Sequence, residues 1–402
     1  MKVVILGTGR IGCGYLAPLF SCAGWDVVLA ARTEGTAHRI DGARCFRVVE
    51  VGEDDGQRDE REIRGVAAVA VDRPELAEAV AAADLVCVSV GVGNVTKVAP
   101  ALASALARRN APVDVWVVEN ANAAPRLEAA VFEAAAVEGL ALPEVGFAGG
   151  VAAVAVARGG WGPGTVPEFV GDSARTLAVD ASRLRTGLPS LPGVVGTDAY
   201  RTRLLEKLFV FNAGHAIAGY LGWLRRHATV DQAVADPFLR PIVVGCMLES
   251  RRAIVAAHPE LDGEVDGPVR VALRRFGNRA LADPVTRVAR DPIRKLRPDD
   301  RLLGPVDLIR KVTGTVPAYF ALSVAGALLY RGPGDVQAEE LEERLQAEGI
   351  VPVLQDVCGL APDDPFAAAV ATRYRGFAFD DDETLFPPVH AGELVAAADE
   401  GR

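Results

Sequence analysis

Three polar side chains in the middle of the sequence have the types and the spacing of an acid/base site. Lys207, Asn212 and His215 stand at offsets 0, 5 and 8 in the segment KLFVFNAGH. On an α-helix, which turns by roughly 100° per residue, they would fall at about 0°, 140° and 80°, within one arc of the surface. The apolar residues 208–211 between them would keep this arc dry.

Such a group of side chains could transfer a proton. Burial removes the hydration that stabilises an ammonium ion, so we expect the pKa of Lys207 to fall toward neutrality, where the amine can act as a general acid or base. The side-chain N–H of Asn212 can donate to a developing alkoxide, and His215 can orient a neighbouring hydroxyl. The same residues would also fit a buried helix with one solvent-reaching lysine and one hydrogen-bonded histidine.

The N-terminal segment predicts a dinucleotide-binding turn. Residues 1–6 (MKVVIL) form an apolar strand-like run, and GTGRIGCG follows immediately, before an apolar helix-like run. This is G-x-G-x-x-G in its required context of strand, turn and helix. The glycines would permit the tight turn, the approach of a pyrophosphate and the packing of helix on strand, and the helix N-terminus would supply N–H groups. The candidate cofactor-binding residues here are Gly7, Gly9, Arg10, Ile11 and Gly12.

The end of the second predicted strand bears on which dinucleotide is bound. NAD-binding units usually carry Asp or Glu there, which bonds the ribose 2′-hydroxyl. In this chain the strand DVVLA is followed by Ala31, Arg32 and Thr33. A small residue followed by an arginine would accept a 2′-phosphate, so we expect NADP(H) to be favoured over NAD(H). The alternatives are that Arg32 only stacks on the adenine, or that Glu34 takes the role of the carboxylate.

Composition agrees with a cytoplasmic enzyme of two domains. A chain of 402 residues is long for one core, and its net charge of −10 argues against nucleic acid or a membrane surface as partner. No apolar run reaches the length of a membrane span. The six cysteines are scattered without C-x-x-C or zinc spacing, so we expect reduced thiols and no metal site. We expect a monomer or a small homo-oligomer.

The order of predicted elements indicates an α/β fold with a doubly wound parallel sheet of the Rossmann type, followed by a mainly α-helical domain. Residues 45–51 and 61–71 predict an inserted antiparallel ribbon. Two later strands end at the sheet edge where cofactors lie, which adds Val90, Gly91 and Glu119 to the candidate cofactor-binding residues. The Pro- and Gly-rich residues 187–196 predict a boundary between a dinucleotide-binding domain, 1–195, and a helical substrate and catalytic domain, 196–402, with the substrate in the cleft between them.

These motifs together resemble the polyol-specific long-chain dehydrogenases, and among them the mannitol-1-phosphate 5-dehydrogenases. The glycine segment is similar to the family's G-x-G-x-I-G-R-G-F-I, with Cys13 in place of the arginine. Residues 207–222 (KLFVFNAGHAIAGYLG) closely match the family's block K-x4-N-x2-H followed by A-x-x-A/G-Y-L-G. The ordered blocks extend to ARDPIRKL and end at about Pro305.

The resemblance implies an NAD(P)-dependent, metal-independent enzyme that interconverts a polyol, or a polyol phosphate, and its ketose. Lys207 would be the general acid/base, Asn212 would stabilise the oxyanion with help from Asn120, and His215 would hold the reacting hydroxyl or its neighbour. A hydride would pass between nicotinamide C4 and a secondary carbinol carbon, in a cleft that fixes both reactants.

The substrate is more open than the reaction. Arg294 and Lys295 lie in the stretch that matches the family's substrate loop, and we expect them to hold a phosphate or the polyol hydroxyls. They could equally be a basic helix end that pairs with Asp291, Asp299 and Asp300. The family's Asp-Arg pair in V-D-R-I-x-P is missing, since this chain has VGFAGGVAAVA from Val145. A cyclitol, a sugar acid or another specialised hydroxy compound is therefore an alternative substrate.

Two other kinds of protein share part of this pattern. A hydroxyacid dehydrogenase of the ketopantoate reductase type also combines a glycine-turn domain, a helical domain and a catalytic lysine, but the spacing of Asn212 and His215 behind Lys207 argues against it. A redox-inactive NADP-binding regulator would have no need of these three side chains together with Asn120.

Overall fold

The computed structural model describes residues 1–52, 57–161, 167–259, 261 and 265–379. The chain divides into two compact units, Met1–Leu204 and Leu205–Arg402. The predicted domain bounds, 1–195 and 196–402, remain a prediction.

The first unit contains all the strands that the described residues form. The strands are β1 Lys2–Leu6, β2 Asp26–Ala31, β3 Cys45–Val51, β4 Arg58–Arg64, β5 Ala67–Ala70, β6 Leu85–Val88, β7 Val113–Val117, β8 Val145–Ala153, β9 Val156–Arg158, β10 Glu168–Asp172, β11 Thr176–Asp180 and β12 Val194–Thr197. The helices that accompany them are α1 Ala17–Cys22, α2 Glu34–Ala43, α3 Glu75–Ala81, α4 Ala99–Leu106 and α5 Ala124–Glu138. A π-helical segment, Gly12–Leu16, precedes α1, and the 3₁₀ turns are Val92–Asn94, Thr96–Val98 and Ala181–Arg183.

The main sheet has eight strands in the order β12-β11-β8-β7-β6-β1-β2-β5. From β5 through β2, β1, β6 and β7 to β8 each pair of neighbouring strands is parallel; β11 pairs antiparallel with β8, and β12 pairs parallel with β11. Alternate side chains of β1 enter different cores: Val3 and Ile5 pack on one face, Val4 and Leu6 on the other. Because a sheet buried on both faces needs continuous apolar strands, the run MKVVIL predicted its central strand correctly, and the Rossmann-type fold is confirmed.

The inserted ribbon is larger than predicted. Strands β3 and β4 pair antiparallel, as expected, but β3 also pairs in parallel with β10, which pairs with β9, and this gives a second, four-stranded sheet. The predicted single strand over residues 61–71 was wrong. Gly65, with φ +72°, ends β4, and β5 then joins the main sheet beside β2. A positive φ is open to glycine at little cost, so the chain changes sheets there.

The second unit is built from helices. They are α6 Tyr200–Glu206, which begins in the first unit, α7 Ala213–Leu224, α8 Val230–Ala235, α9 Leu239–Ala257, α10 Gly267–Phe276, α11 Val285–Ala289, α12 Pro292–Lys295, α13 Leu303–Thr313, α14 Ala318–Leu328, α15 Val336–Glu348, α16 Ile350–Cys358 and α17 Pro365–Phe379. A π-helical segment, Lys207–Asn212, joins α6 to α7 and is called here the π turn. In the part of the chain that the structure describes, no helix combines the length and the apolar character needed to cross a membrane.

Helix α7 lies at the centre of this unit, and nine of its twelve residues are buried. Its glycines let neighbouring helices come close. A Cβ at Gly214 would lie 2.4 Å from the sulfur of Met247 on α9, and one at Gly219 would lie 3.1 Å from a methyl carbon of Val288 on α11. Close packing on two sides fixes the rotation of α7, and with it the direction of every side chain that α7 carries.

The glycine turn after β1 depends on the absence of two side chains. Gly7 has φ +120°, and a Cβ there would lie 2.3 Å from the carbonyl oxygen of Ser89. A Cβ at Gly12 would lie 1.9 Å from the carbonyl oxygen of Gly7. At Gly9, by contrast, a Cβ would meet no atom within 4 Å, so this position opens onto free space. The first and third glycines are therefore required by packing, and the second is not.

This contrast predicts different stabilities for two alanine variants. Gly12→Ala should lower the free energy of unfolding by about 1–3 kcal/mol, because the new methyl group overlaps a backbone carbonyl that cannot move without opening the turn. Gly9→Ala should change it by less than about 0.5 kcal/mol, as at sites away from packed features. Thermal and urea denaturation of both ligand-free variants would measure this, and equal losses would contradict the packing argument.

Candidate active site

The carboxyl ends of β1, β6 and β7 meet at one edge of the main sheet. The amide of Ser89 donates to the carbonyl of Leu6 at 2.8 Å, and the amide of Val118 donates to the carbonyl of Val88 at 2.9 Å, so the three strands stay aligned to their ends. The glycine turn follows β1 at this edge, with Arg10 and Ile11, both half-buried, at the start of its helix. The structure thus brings together the turn residues and the two strand ends that the sequence indicated.

A hydrogen bond of Glu119 connects two strand ends at this edge. Its carboxylate accepts a hydrogen bond from the amide of Gly91 at 2.6 Å, which ties the end of β7 to the end of β6. Gly91 has φ +89°, so the loop after Val90 turns sharply there. The carboxylate of Glu119 is thus directed at the protein backbone, while the next residue, Asn120, is exposed at the same edge.

Arg32 stands just beyond the end of β2. It is exposed and has no hydrogen-bond or ion-pair partner among the described residues. Thr33 accepts a bond from the amide of Thr36 and so starts α2. Glu34 is bound by Arg73 at 2.6 Å, and this hydrogen bond lowers the pKa of the Glu34 carboxyl. The carboxylate of Glu34 is therefore already paired with a cation, whereas the guanidinium of Arg32 has no partner among the described residues.

Lys207 and Asn212 are the first and last residues of the π turn. The predicted regular α-helix is wrong at this point, because residues 207–212 are π-helical. A π-helix bonds residue i to residue i+5, so the two side chains lie one π turn apart. The angle between them around the helix axis is therefore smaller than the roughly 140° that an α-helix would give. His215 follows three residues after Asn212, within α7, on the same side as a neighbour at i+3. Single π turns within α-helices are frequent at functional sites.

Packing fixes both sides of the π turn. The ring of Phe209 fills the space that a side chain at residue 304 would need, since a Cβ at Gly304 would lie 2.5 Å from it. Glu206, immediately before Lys207, pairs at 3.5 Å with Arg251 of α9, whose side chain is 5% exposed. This ion pair, which is too long for a hydrogen bond from the Arg251 Nε, links the start of the turn to α9.

The side-chain amide of Asn212 is buried, and its nitrogen has no partner in the part of the chain that the structure describes. The residue is 9% exposed, and its Nδ2 has no hydrogen-bond partner among the described residues. A buried N–H without an acceptor costs about 1–3 kcal/mol, so this donor can take a partner that binds beside it, as can the other buried unpartnered groups of the chain.

His215 is held on three sides. Its Nε2 lies 3.1 Å from a carboxylate oxygen of Asp283, its ring stacks on Phe276 at 4.9 Å and 10°, and Phe211 meets it edge-on. Asp283 in turn accepts two short hydrogen bonds from Arg287. Burial lowers the pKa of His215, and the bond to Asp283 only partly opposes this. Although burial alone would raise the pKa of Asp283, the bonds from His215 and Arg287 lower it.

Arg294 and Lys295 belong to α12 and differ in their surroundings. Arg294 pairs with Asp291 at 3.5 Å and with Asp300 at 3.3 Å and is one-third exposed. The ammonium of Lys295 is buried, donates a short hydrogen bond to the carbonyl of Val288 and lies 5.6 Å above the Tyr220 ring. Burial lowers the pKa of Lys295 well below its ordinary value, and the neighbouring arginines add to this. The pairing that the sequence left open thus exists for Arg294, and the substrate role of both residues stays a prediction.

The strand that lacks the family's Asp-Arg pair packs on a tyrosine instead. A Cβ at Gly149 of β8 would lie 2.1 Å from the ring of Tyr200, and a Cβ at Gly150 would lie 3.0 Å from Val118. Tyr200 is buried, and its hydroxyl has no partner among the described residues. In this chain the strand is thus packed tightly where the family pattern would place two polar side chains.

Sequence reasoning assigned no role to Asp283. Its spacing of four residues from Arg287 is that of a helical ion pair, which was the available signal. Nothing in the sequence indicates that His215, 68 positions earlier, shares the same carboxylate, because that contact depends on the packing of α7 against α11.

Among the described residues no group of three or more His, Cys, Asp or Glu side chains could hold a metal ion.

Both parts of the chain match domains of a known family. Residues 1–147 match the mannitol dehydrogenase Rossmann domain, and residues 198–375 match the mannitol dehydrogenase C-terminal domain. The chain is 30% identical over 392 residues to the mannitol-1-phosphate 5-dehydrogenase of Geobacillus thermodenitrificans (strain NG80-2), covering 93% of this chain and 98% of that protein. It is 31% identical to the enzyme of the same name from Bacillus pumilus (strain SAFR-032), covering 92% and 98%.

Solved structures show the same fold. The ternary complex of Pseudomonas fluorescens mannitol 2-dehydrogenase with NAD and D-mannitol aligns with a TM-score of 0.74 at 16% identity, over 93% of this chain and 91% of that one. A substrate-free D-sorbitol dehydrogenase aligns with a TM-score of 0.65 at 14% identity, over 93% and 92%. With both of its domains matched, this chain belongs to the mannitol dehydrogenase family and is an oxidoreductase of the polyol–ketose type.

Proposed function

We propose that the protein interconverts a polyol phosphate and the corresponding ketose phosphate with a nicotinamide cofactor. The observation that carries the proposal is the π turn, which places Lys207 and the unpartnered amide of Asn212 one turn apart with His215 beside them. An amine, an amide donor and an imidazole are the groups needed to move a hydroxyl proton and to stabilise the oxygen that loses it.

The glycine turn fits a dinucleotide. Gly9 opens onto free space, while Gly7 and Gly12 keep the turn tight, so the backbone N–H groups at the start of the helix can reach a pyrophosphate. Arg10, Ile11, Val90 and Gly91 would line the same edge, and Glu119 would act by holding that edge together. When bound, the nicotinamide would supply the hydride acceptor.

A preference for NADP(H) is supported by the charges at the end of β2. Arg32 is exposed and available for a 2′-phosphate, and Arg73 lies nearby through its bond to Glu34. Glu34, the alternative partner for a ribose hydroxyl, would have to leave Arg73 to serve that role.

Each candidate catalytic side chain has one task. Lys207 takes the proton from the substrate hydroxyl during oxidation and returns it during reduction. Asn212 donates to the developing oxyanion, a role in which the family resemblance adds Asn120. His215 holds a hydroxyl of the substrate. Arg294, one-third exposed and beside two carboxylates, is the better candidate of the basic pair for the phosphate, because the ammonium of Lys295 is buried against a carbonyl.

A second candidate is a substrate other than an open-chain polyol phosphate. The relatives named above are mannitol-1-phosphate 5-dehydrogenases, but this chain lacks the polar pair that the resemblance implies, and its Gly149 packs on Tyr200. This favours a different polyol, a cyclitol or a sugar acid as the alternative within the same reaction.

A panel of substrates tests the choice. We expect oxidation of NADPH with fructose 6-phosphate or another ketose phosphate to exceed that with fructose, cyclic ketones, sugar acids and ketoacids by at least about tenfold in kcat/KM, as expected when a charged group is recognised. A spectrophotometric assay measures this. Turnover of ketoacids alone would contradict the proposed reaction, and a preference for cyclic ketones would support the second candidate.

Removal of the amine should abolish proton transfer. Lys207→Ala should lower kcat by about 10²- to 10⁴-fold, the usual contribution of a general acid or base, and leave the Kd for NADPH nearly unchanged. Lys311→Ala is the matched control, since Lys311 is exposed and paired with Asp307. Stopped-flow kinetics and fluorescence titration of the cofactor would separate the two effects, and an active Lys207→Ala enzyme would end the assignment.

The cofactor preference can be tested at one residue. Arg32→Ala should raise the KM for NADPH by about tenfold, the effect of losing about 1.4 kcal/mol of binding, with little change for NADH. Arg64→Ala, which removes an exposed arginine of β4 paired with Glu62, is the control. Equal losses with both cofactors would refute the preference.

A further inference from the structure

We propose that Asp283, held by Arg287, is a positioning residue that fixes the imidazole of His215 with its proton on Nε2, so that Nδ1 accepts a hydrogen bond from a hydroxyl of the substrate. This inference rests on the proposed function for the identity of the ligand. The arrangement of the three side chains within the second unit stands without it.

The carboxylate determines which nitrogen carries the proton. Asp283 has a side chain that is 4% exposed, and Arg287 donates to both of its oxygens. An arginine on both oxygens keeps the carboxylate ionised, and an ionised carboxylate can only accept. Nε2 of His215, 3.1 Å away, must therefore be the donor. In a neutral imidazole the other nitrogen is then an acceptor.

The surroundings keep the ring neutral and still. The side chain of His215 is 14% exposed and is stacked flat on Phe276. The charged groups that act on it are Asp283, which raises its pKa, and Arg287 and Lys295, which lower it. Arg275 lies farther out, over the ring of Phe211 at 4.3 Å. Two cations and burial against one carboxylate favour the neutral form.

The anchor of Asp283 extends to a second helix. Arg287 belongs to α11, whose last turn is bound through the carbonyl of Val288 by the buried ammonium of Lys295. Val288 also packs on Gly219 of α7. Because α7 and α11 are held together at that point, the distance between His215 and Asp283 is set by backbone packing and not by flexible side chains alone.

The same unit contains a matched trio that supplies the control. Asp236 accepts from Arg225 at 2.8 Å and lies 2.8 Å from Nε2 of His227, and its side chain is 5% exposed. The same residue types surround a similarly buried carboxylate, which also accepts hydrogen bonds from the backbone amides of Phe238 and Leu239, and His227 is not one of the candidate site residues. Asp236→Asn therefore reports what the loss of such a carboxylate does to stability alone.

The first experiment compares kinetics. Asp283→Asn should lower kcat/KM by about 10- to 100-fold, as loss of a partner that orients a functional histidine does, whereas Asp236→Asn should lower it less than about threefold. Combined with His215→Asn, Asp283→Asn should cost nothing further, because its effect passes through the histidine. Equal losses at the two aspartates, or an undiminished effect in the double variant, would overturn the proposal.

The second experiment does not depend on turnover. Of the five histidines, both His215 and His227 have Nε2 beside a buried carboxylate. Long-range ¹H–¹⁵N spectra of the wild-type protein labelled with ¹⁵N-histidine should therefore show Nε2–H tautomers at neutral pH, and the one that is lost in His215→Asn should belong to His215. An Nδ1–H or doubly protonated His215 would refute the proposal. An Nε2–H signal in a protein inactive toward all polyols would retain it and reject only the proposed function.

Discussion

The extra residue in the π turn is the constraint on which the candidate site depends. An uninterrupted α-helix from Tyr200 to Leu224 would place Lys207 and Asn212 about 140° apart around its axis. The i to i+5 spacing reduces the angle between these two side chains around the helix axis. His215, three residues after Asn212, then lies on the same side of the helix. A π turn is less favourable than α-helix and needs support, which Phe209 against Gly304 and Glu206 against Arg251 provide.

The two units prepare their polar groups in different ways. At the sheet edge, backbone groups do most of the work: glycines keep the turn tight, and Glu119 holds two strand ends together. In the helical unit, side chains are oriented by other side chains, as in the chain of contacts from Lys295 through α11 and Asp283 to His215. A backbone site suits a phosphate, which accepts N–H bonds wherever they converge, whereas proton transfer requires individual groups at defined positions.

Two aspartates of the helical unit have the same kinds of partners. Asp283 and Asp236 are buried, and each has an arginine and a histidine as partners. Only the first lies next to candidate catalytic residues. A buried Asp–His pair is therefore not by itself evidence of function. Its position next to candidate catalytic residues such as Asn212 is the relevant observation.

The sequence alone determined the glycine turn, the alternation of strands and helices, and the block that contains Lys207, Asn212 and His215, because each is a local pattern whose spacing reflects local geometry. It could not determine that the helix carries a π turn, since the regular and the widened helix have the same apolar pattern, nor that Gly65 sends the chain from one sheet to another. The contact between His215 and Asp283, the burial of Lys295 and the packing of Tyr200 on Gly149 were decided by tertiary structure. They join residues distant in sequence, and packing of whole elements, not local spacing, brings such residues together.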